Sequence, residues 1–128
     1  MTIISMILLS LQTGPVKTLP NPGETDPHRT WSTGFYKSPV SGPVWLWKDG
    51  LTGDAQADLV NHGGEDKAVN VYPSEHSPHW IRDLGVSEIP FGGFGENFTT
   101  QGLTEKDVAI GDIFELGSAI VQISQPRQ

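Results

Sequence analysis

A mostly-β chain with one or two short helices is predicted by three observations. Glycine and proline, 15 and 10 of 128 residues, make up about a fifth of the sequence. At that density long helices are interrupted and short strands joined by turns are favoured. The apolar residues fall in short β-branched and aromatic runs rather than in a sustained helical period. Near the end, two such runs flank Gly117-Ser118 in the manner of a hairpin.

Taken in order, Ile3 to Leu11 is rich in Ile and Leu, lacks helix caps and is followed by Gly14-Pro15, which suits a buried strand ending in a turn. Residues 19–30 (LPNPGETDPHRT) hold three prolines and a glycine without periodicity and are read as a loop. Trp31 to Tyr36 and Val44 to Lys48 read as strands. Asp49 to Gly64 is polar with four glycines and reads as a loop presenting Asp54, Gln56, Asp58, Asn61 and His62. Ala68 to Tyr72 alternates as a short strand, stopped by Pro73. Ser74 can cap a helix running to about Leu84, with Gly85 beyond its end. After the glycine-rich PFGGFGEN turn come a strand over Phe98 to Thr100, a TEKDV turn, and the hairpin Asp112 to Leu116 with Ala119 to Ser124. No repeat or linker divides the chain, so residues 1–128 are expected to form one domain with one core.

Charge narrows the function. Residues 1–52 carry four Lys/Arg against three Asp/Glu, while residues 53–128 carry four against twelve, for a net charge of −7. Nucleic acid is therefore not an expected partner, because no basic stripe is available to displace counterions from phosphates. A small anion remains possible, since one Lys and one Arg beside backbone amides make a local positive pocket. With no cysteine in the sequence, disulfides, thiolate nucleophiles and cysteine-bound metals are excluded within these residues. The opening MTIISMILLSLQ is too short to span a bilayer and lacks the basic flank of a signal peptide, so no membrane partner and a cytoplasmic location are expected.

Asn61-His62-Gly63-Gly64-Glu65-Asp66-Lys67 is the segment richest in chemistry. Two glycines remove side chains beside His62, Asp66 and Lys67, so a ligand could approach the backbone. His62 could donate a proton or hydrogen bond, Lys67 supply a point charge, and Asp66 orient either. The same residues could equally form a tight turn with ordinary surface charges, and Asp54 and Asp58 could simply cap turns. Gly92-Gly93-Phe94-Gly95-Glu96-Asn97 lacks the Lys-Ser/Thr of a phosphate loop and opens no helix, although the Asn97 amide could meet a ligand. His76 and His79 share a helix face at a spacing two metal ligands can use, but no third ligand accompanies them and no metal site is assigned.

The segments TGFYKSPVSGPVWL (33–46), GLTGDAQAD (50–58), HGGEDKAVNVYPSEH (62–76), FGENFTTQGLTEKDVAIGDIFELG (94–117) and VQISQPRQ (121–128) together resemble the MOSC domain. Within it they are most similar to the small stand-alone bacterial branch, the YiiM type. The resemblance implies a MOSC-type β-barrel, work with the molybdenum cofactor (molybdopterin) rather than pyridoxal phosphate, and reduction of N-hydroxylated bases and related compounds, with an electron-donor protein as a further partner. By the same resemblance His62, Gly63, Gly64, Asp66, Lys67, Asn97 and Arg127 would bind the cofactor. Family members place the reactive cysteine in a Gln-Pro-Arg-x-Pro-Cys segment, of which Gln125-Pro126-Arg127-Gln128 matches the start. The expectation is therefore a partial chain without a catalytic residue of its own and without turnover. A non-redox sulfur or cofactor carrier and a cysteine-less binding module are the alternatives. Reading the coding sequence beyond Gln128 checks this: a cysteine within the next few codons is expected, and a stop codon would favour the binding module.

Overall fold

A computed structural model describes residues 6–127. The start of the strand expected from Ile3 lies outside them. In chain order come β1 (Ile7–Thr13), β2 (Lys17–Pro20), β3 (Thr30–Thr33), β4 (Ser38–Pro39), β5 (Leu46–Trp47), β6 (Gly50–Leu51), α1 (Leu59–His62), β7 (Val71–Pro73), α2 (Ser77–Leu84), β8 (Phe98–Gln101), β9 (Ile113–Leu116) and β10 (Ala119–Gln122). Single 3-10 turns occupy Glu65–Lys67, Ser74–His76 and Glu105–Asp107. The mostly-β class with two short helices is the one observed. No helix among the described residues is long and apolar enough to cross a membrane.

The strands pair as a four-stranded sheet in the order β4-β1-β8-β7 and as three two-stranded ribbons, β2-β3, β5-β6 and β9-β10. β1 and β8 run antiparallel with an irregularity between Leu8 and Ser10, and β7 lies parallel to β8. The strand expected from Ala68 starts only at Val71, and it stops at Pro73 as expected, with Pro73 as its last paired residue opposite Thr100. An edge strand tolerates this because its outer side needs no amide donor.

Two regions read as loops contain ladders. Lys17–Pro20 pairs with Thr30–Thr33, placing Leu19 opposite Trp31 and leaving only residues 21–29 to turn the chain. The Asn21 N–H donates to the Arg29 carbonyl (3.0 Å) and closes that turn. Trp47 opposite Gly50 makes a tight hairpin around Lys48-Asp49, inside the segment read as continuous loop from Asp49. The strand expected to reach Tyr36 ends at Thr33, because the backbone at Gly34 passes so close to Ala55 that a Cβ would sit 2.3 Å from its carbonyl oxygen. The helix expected from Ser74 begins as a 3-10 turn and becomes α-helical at Ser77, with Pro78 in its first turn and Gly85 as a left-handed cap at φ 67°. In the last hairpin Leu116 faces Ala119, so Gly117-Ser118 is a two-residue turn, and φ 61° at Gly117 meets the positive-φ need of its first position.

The centre of the molecule is more polar than apolar. Leu51, Phe98 and Leu103 are buried, alongside Gln12, Thr33, Glu96, Asn97, Thr99 and Thr100. Asp54 joins them: its side chain is 0% exposed and lies 2.7 Å from the ammonium of Lys37, itself 6% exposed. Asp54 Oδ1 also accepts the Gly14 N–H (3.0 Å), and Oδ2 accepts the Asn97 side-chain amide (2.9 Å). Asn97 donates further to the Gln12 carbonyl (3.2 Å) and accepts from the Asn70 N–H (2.9 Å). The Gln12 amide in turn donates to the Glu96 carbonyl and to Thr99, whose hydroxyl donates to the Glu96 carboxylate at 2.8 Å. Around this network the chain exposes 8969 Å², against about 6,700 Å² for a compact monomer of its mass. Trp45, Trp47, Leu59 and Val60 are among the apolar side chains outside the core.

Removing one partner of a buried charge pair strands the other in a poorly solvating medium. Asp54→Ala is expected to cost about 3–5 kcal/mol of folding stability in urea denaturation. A Lys37→Met/Asp54→Leu double variant should recover part of that loss, whereas strictly additive losses would show that the two groups are not coupled.

Candidate functional site

Asp58 starts the segment that the sequence singled out. Its Oδ1 accepts the N–H groups of Val60 and Asn61 (both 3.1 Å) and its Oδ2 accepts the Asn61 side-chain amide (2.8 Å), capping α1. The Asn61 side chain first, and then its backbone N–H, hold the Asp58 carboxyl below the ordinary aspartate value. α1 stops after one turn because Gly63 bends back on it: a Cβ there would lie 2.8 Å from the Leu59 carbonyl oxygen. Gly64 follows at φ 95°, a conformation that side chains resist. The chain then enters the 3-10 turn Glu65–Lys67, and the Lys67 ammonium donates to the Asn61 carbonyl, closing the loop on itself.

The C-terminal segment crosses this loop. The Ser124 hydroxyl and the Gln125 side-chain amide both donate to the Asp66 carbonyl. Three residues after Ser124, the Arg127 guanidinium donates to the Phe94 carbonyl in the glycine-rich turn. Gly95 makes room there, since a Cβ would sit 2.6 Å from the Phe35 ring and 3.3 Å from an Arg127 nitrogen. Phe94 is fixed from its other side by Tyr72 (ring centroids 4.5 Å) and Trp80 (5.9 Å), and the Trp80 indole N–H donates to the Tyr72 hydroxyl at 2.8 Å. One tail thus ties the His62 to Lys67 loop to the Phe94-Gly95 turn.

Of the residues expected at a ligand site, His62, Gly63, Gly64, Asp66 and Lys67 share one loop, and Arg127 joins them through the tail. His62 and Arg127 are exposed, and Lys67 is half-buried. Lys67 and Arg127 are each bonded to a neutral backbone carbonyl, and neither has a carboxylate partner among the described residues. Lys67 shares its turn with the exposed Glu65 and Asp66, so what this region offers an anion is the spare N–H groups of Lys67 and Arg127 beside Gly64, whose Cβ position is open. Asn97 stands apart from them. It is 2% exposed and its amide is fully engaged by Asp54, Gln12 and Asn70, so it holds the glycine-rich turn in place rather than facing solvent.

His76 and His79 do not converge. The His76 ring nitrogen lies 2.7 Å from Glu105, and His79 faces Arg82 at 3.0 Å. Burial is the strongest single influence on Glu105 and raises it, but its own backbone N–H and His76 together outweigh this and hold it below the ordinary glutamate value. Among the described residues no three His, Cys, Asp or Glu side chains gather as a metal set. Sequence reasoning missed Lys37 and Gln12, whose side-chain partners lie 17 to 87 residues away, and Glu96, whose carboxylate is bonded by the neighbouring Phe94 N–H and Thr99 hydroxyl. It read Asp54 as a local turn former, although its carboxylate bonds Gly14 and Asn97.

The model of the MOSC domain matches residues 58–128. The chain is 49% identical over 121 residues to YflK of Bacillus subtilis (strain 168), which covers 94% of this chain and 52% of that protein. It is 32% identical over 124 residues to a reductase of Gibberella moniliformis (strain M3125 / FGSC 7600), covering 94% of this chain and 21% of that one. The crystal structure of YiiM from Geobacillus stearothermophilus superimposes with a TM-score of 0.70 at 40% identity, over 97% of this chain and 52% of that one. The chain therefore spans about half the length of YflK and of the solved YiiM, and about a fifth of the fungal reductase.

Because the Asp58 carboxyl is depressed, its cap is present above the ordinary aspartate value of 3.8 and is lost only as pH falls through the lower folded value. The amide resonances of Val60 and Asn61 should stay constant from neutral pH down to about that value and move below it. Asp58→Ala should fray α1 at every pH.

Proposed function

This chain belongs to the MOSC domain family, and from that premise we propose that it forms the anion-gripping part of a molybdenum-cofactor-dependent reductase acting on N-hydroxylated bases or related compounds. The observation that carries this reading is the pair of cations, Lys67 and Arg127, set on neutral carbonyls around a tail that joins two glycine-bared turns. Their spare N–H groups suit phosphate or oxo oxygens, and charge-assisted hydrogen bonds are the stronger kind. The similarity to a protein named a reductase supports the redox side of the reading.

In this reading Lys67 and Arg127 hold the cofactor's anionic parts, and Gly64, with open space where a Cβ would be, lets it approach the backbone. Asp66 fixes the tail through its carbonyl, and Asn97 keeps the glycine-rich turn in register. His62, exposed at the end of α1, is the group of the loop able to exchange a proton or hydrogen bond with a bound molecule. The bound cofactor would supply two-electron chemistry. Reduction of an N-hydroxylamine to an amine and water consumes two electrons and two protons, so an electron-donor protein belongs to the reading. These 128 residues contain no thiolate to ligate the metal, so what is assigned to them is grip and orientation.

Equilibrium dialysis of the chain against free molybdenum cofactor, followed by fluorescence of the oxidised pterin and elemental analysis for molybdenum, tests this. A charged hydrogen bond contributes about 1.5–3 kcal/mol, so Lys67→Gln and Arg127→Gln should each weaken retention by about tenfold or more. Retention unchanged in the double variant, or none in the parent chain, would refute the reading.

A further inference from the structure

The stretch Ala119 to Ser124 (AIVQIS) holds no charge, no proline and no glycine, and half of it is isoleucine or valine. Among the described residues β10 pairs with β9 alone, and no other segment sends a backbone hydrogen bond to its second edge. That edge is a row of peptide groups open to another strand. Elsewhere in the molecule such edges are blunted. β2, β4 and β7 each include a proline, and β9 carries Glu115 with Asp112 just before it. β10 has neither device.

The outer face of this ribbon is apolar as well. Residues two apart on a strand share a face, as do residues paired across a ladder, so Ile120 and Gln122 lie on one face with Ile113 and Glu115. Ile113 is 65% and Ile120 70% exposed. Ile110, 69% exposed, borders an open concavity of about 340 Å³ together with Ile123 and Gln125 at the end of the strand. The chain exposes 8969 Å², about 2,300 Å² more than a compact monomer of its mass. A stable interface takes about 800 Å² from each partner, less than that excess. Charge selects which edge a second copy can use. Two chains of net charge −7 repel each other, and docking β9 on β9 would add Asp112 and Glu115 to that repulsion, whereas β10 meets β10 without a charge on either side.

We infer that the β10 edge binds a second copy of this chain, the two β10 strands lying antiparallel across a twofold axis in the order β9-β10-β10-β9. The main chain supplies the hydrogen bonds, and the contact is the same patch on both copies. A shift of one residue would turn Ile120 over the other face, so the axis passes through a residue. Placed at Val121, it sets Ile120 opposite the partner's Gln122 and Ser124 opposite the partner's Ser118. Ile113 and Ile120 of both copies then share one face, and each Gly117-Ser118 turn arrives at the concavity beside Ile110 of the other chain. β10 runs directly into the tail whose Ser124 and Gln125 donate to the Asp66 carbonyl. Pairing the edges therefore holds two of these loops in one dimer, whatever the loops bind.

Sedimentation equilibrium of the chain from about 1 to about 500 µM tests the inference, since association is set by protomer concentration. The mass should rise from 13.9 kDa towards twice that value. Raising sodium chloride from about 0.05 to about 0.5 M should strengthen the dimer, because salt screens the repulsion between the two acidic chains. Ile120→Lys sets like charges side by side on the shared face and should weaken association by about tenfold or more. Val60→Lys, at a side chain 88% exposed on α1, should leave it unchanged. In a mixture of nitrogen-15-labelled and carbon-13-labelled chains, filtered nuclear Overhauser effects should connect β10 of one copy to β10 of the other. A monomer at every concentration overturns the inference, as does a dimer that Ile120→Lys leaves intact or that Val60→Lys weakens equally. Contacts between copies that omit β10 overturn it too.

Discussion

The Asp54 carboxylate is the point on which the architecture turns. It lies beyond reach of water and receives Lys37 from the approach to β4, the Gly14 N–H from the end of β1, and Asn97 from the entry to β8. A buried carboxylate is costly unless its oxygens are hydrogen-bonded and its charge is met. Here both conditions hold, and satisfying them brings three stretches of chain to one place. Asn97 passes the constraint on to Gln12 and Asn70, and Gln12 to Glu96 and Thr99. With Leu51, Phe98 and Leu103 as the buried hydrophobic core among the described residues, this network specifies registers that so small a core would leave loosely defined.

The candidate site inherits its shape from that network. Asn97 holds the turn in which Phe94 and Gly95 meet Arg127, and the tail from Ser124 carries the same positioning across to Asp66. Among the described residues, the side-chain nitrogens of Lys67 and Arg127 meet only peptide oxygens.

The exposed apolar side chains accord with the length comparison. The chain has more surface than a compact monomer of its mass, and it spans about half of YflK and of the solved YiiM. Trp47 and Leu59 belong to that exposed set.

Local chemistry alone made several features legible. Gly85 after a helical run, Gly117-Ser118 between alternating runs, and the Gly63-Gly64 break before Lys67 each reflect a backbone need that neighbouring residues reveal. The ordered motifs likewise disclosed the family. The ladders of β2 and β6 were hidden, because two-residue and proline-terminated strands carry too little periodicity to be separated from loops. Asp54, Lys37 and Gln12 were hidden for a deeper reason: their partners lie 17 to 87 residues away, and an ion pair or amide network leaves no mark on the spacing of either member. The sequence by itself determined a β-rich chain of one family with a glycine-rich, charged loop. Tertiary structure alone decided that Asn97 and Asp54 face inward as anchors and that Arg127 reaches the Phe94 turn, because burial and through-space contact arise only when distant segments are packed together.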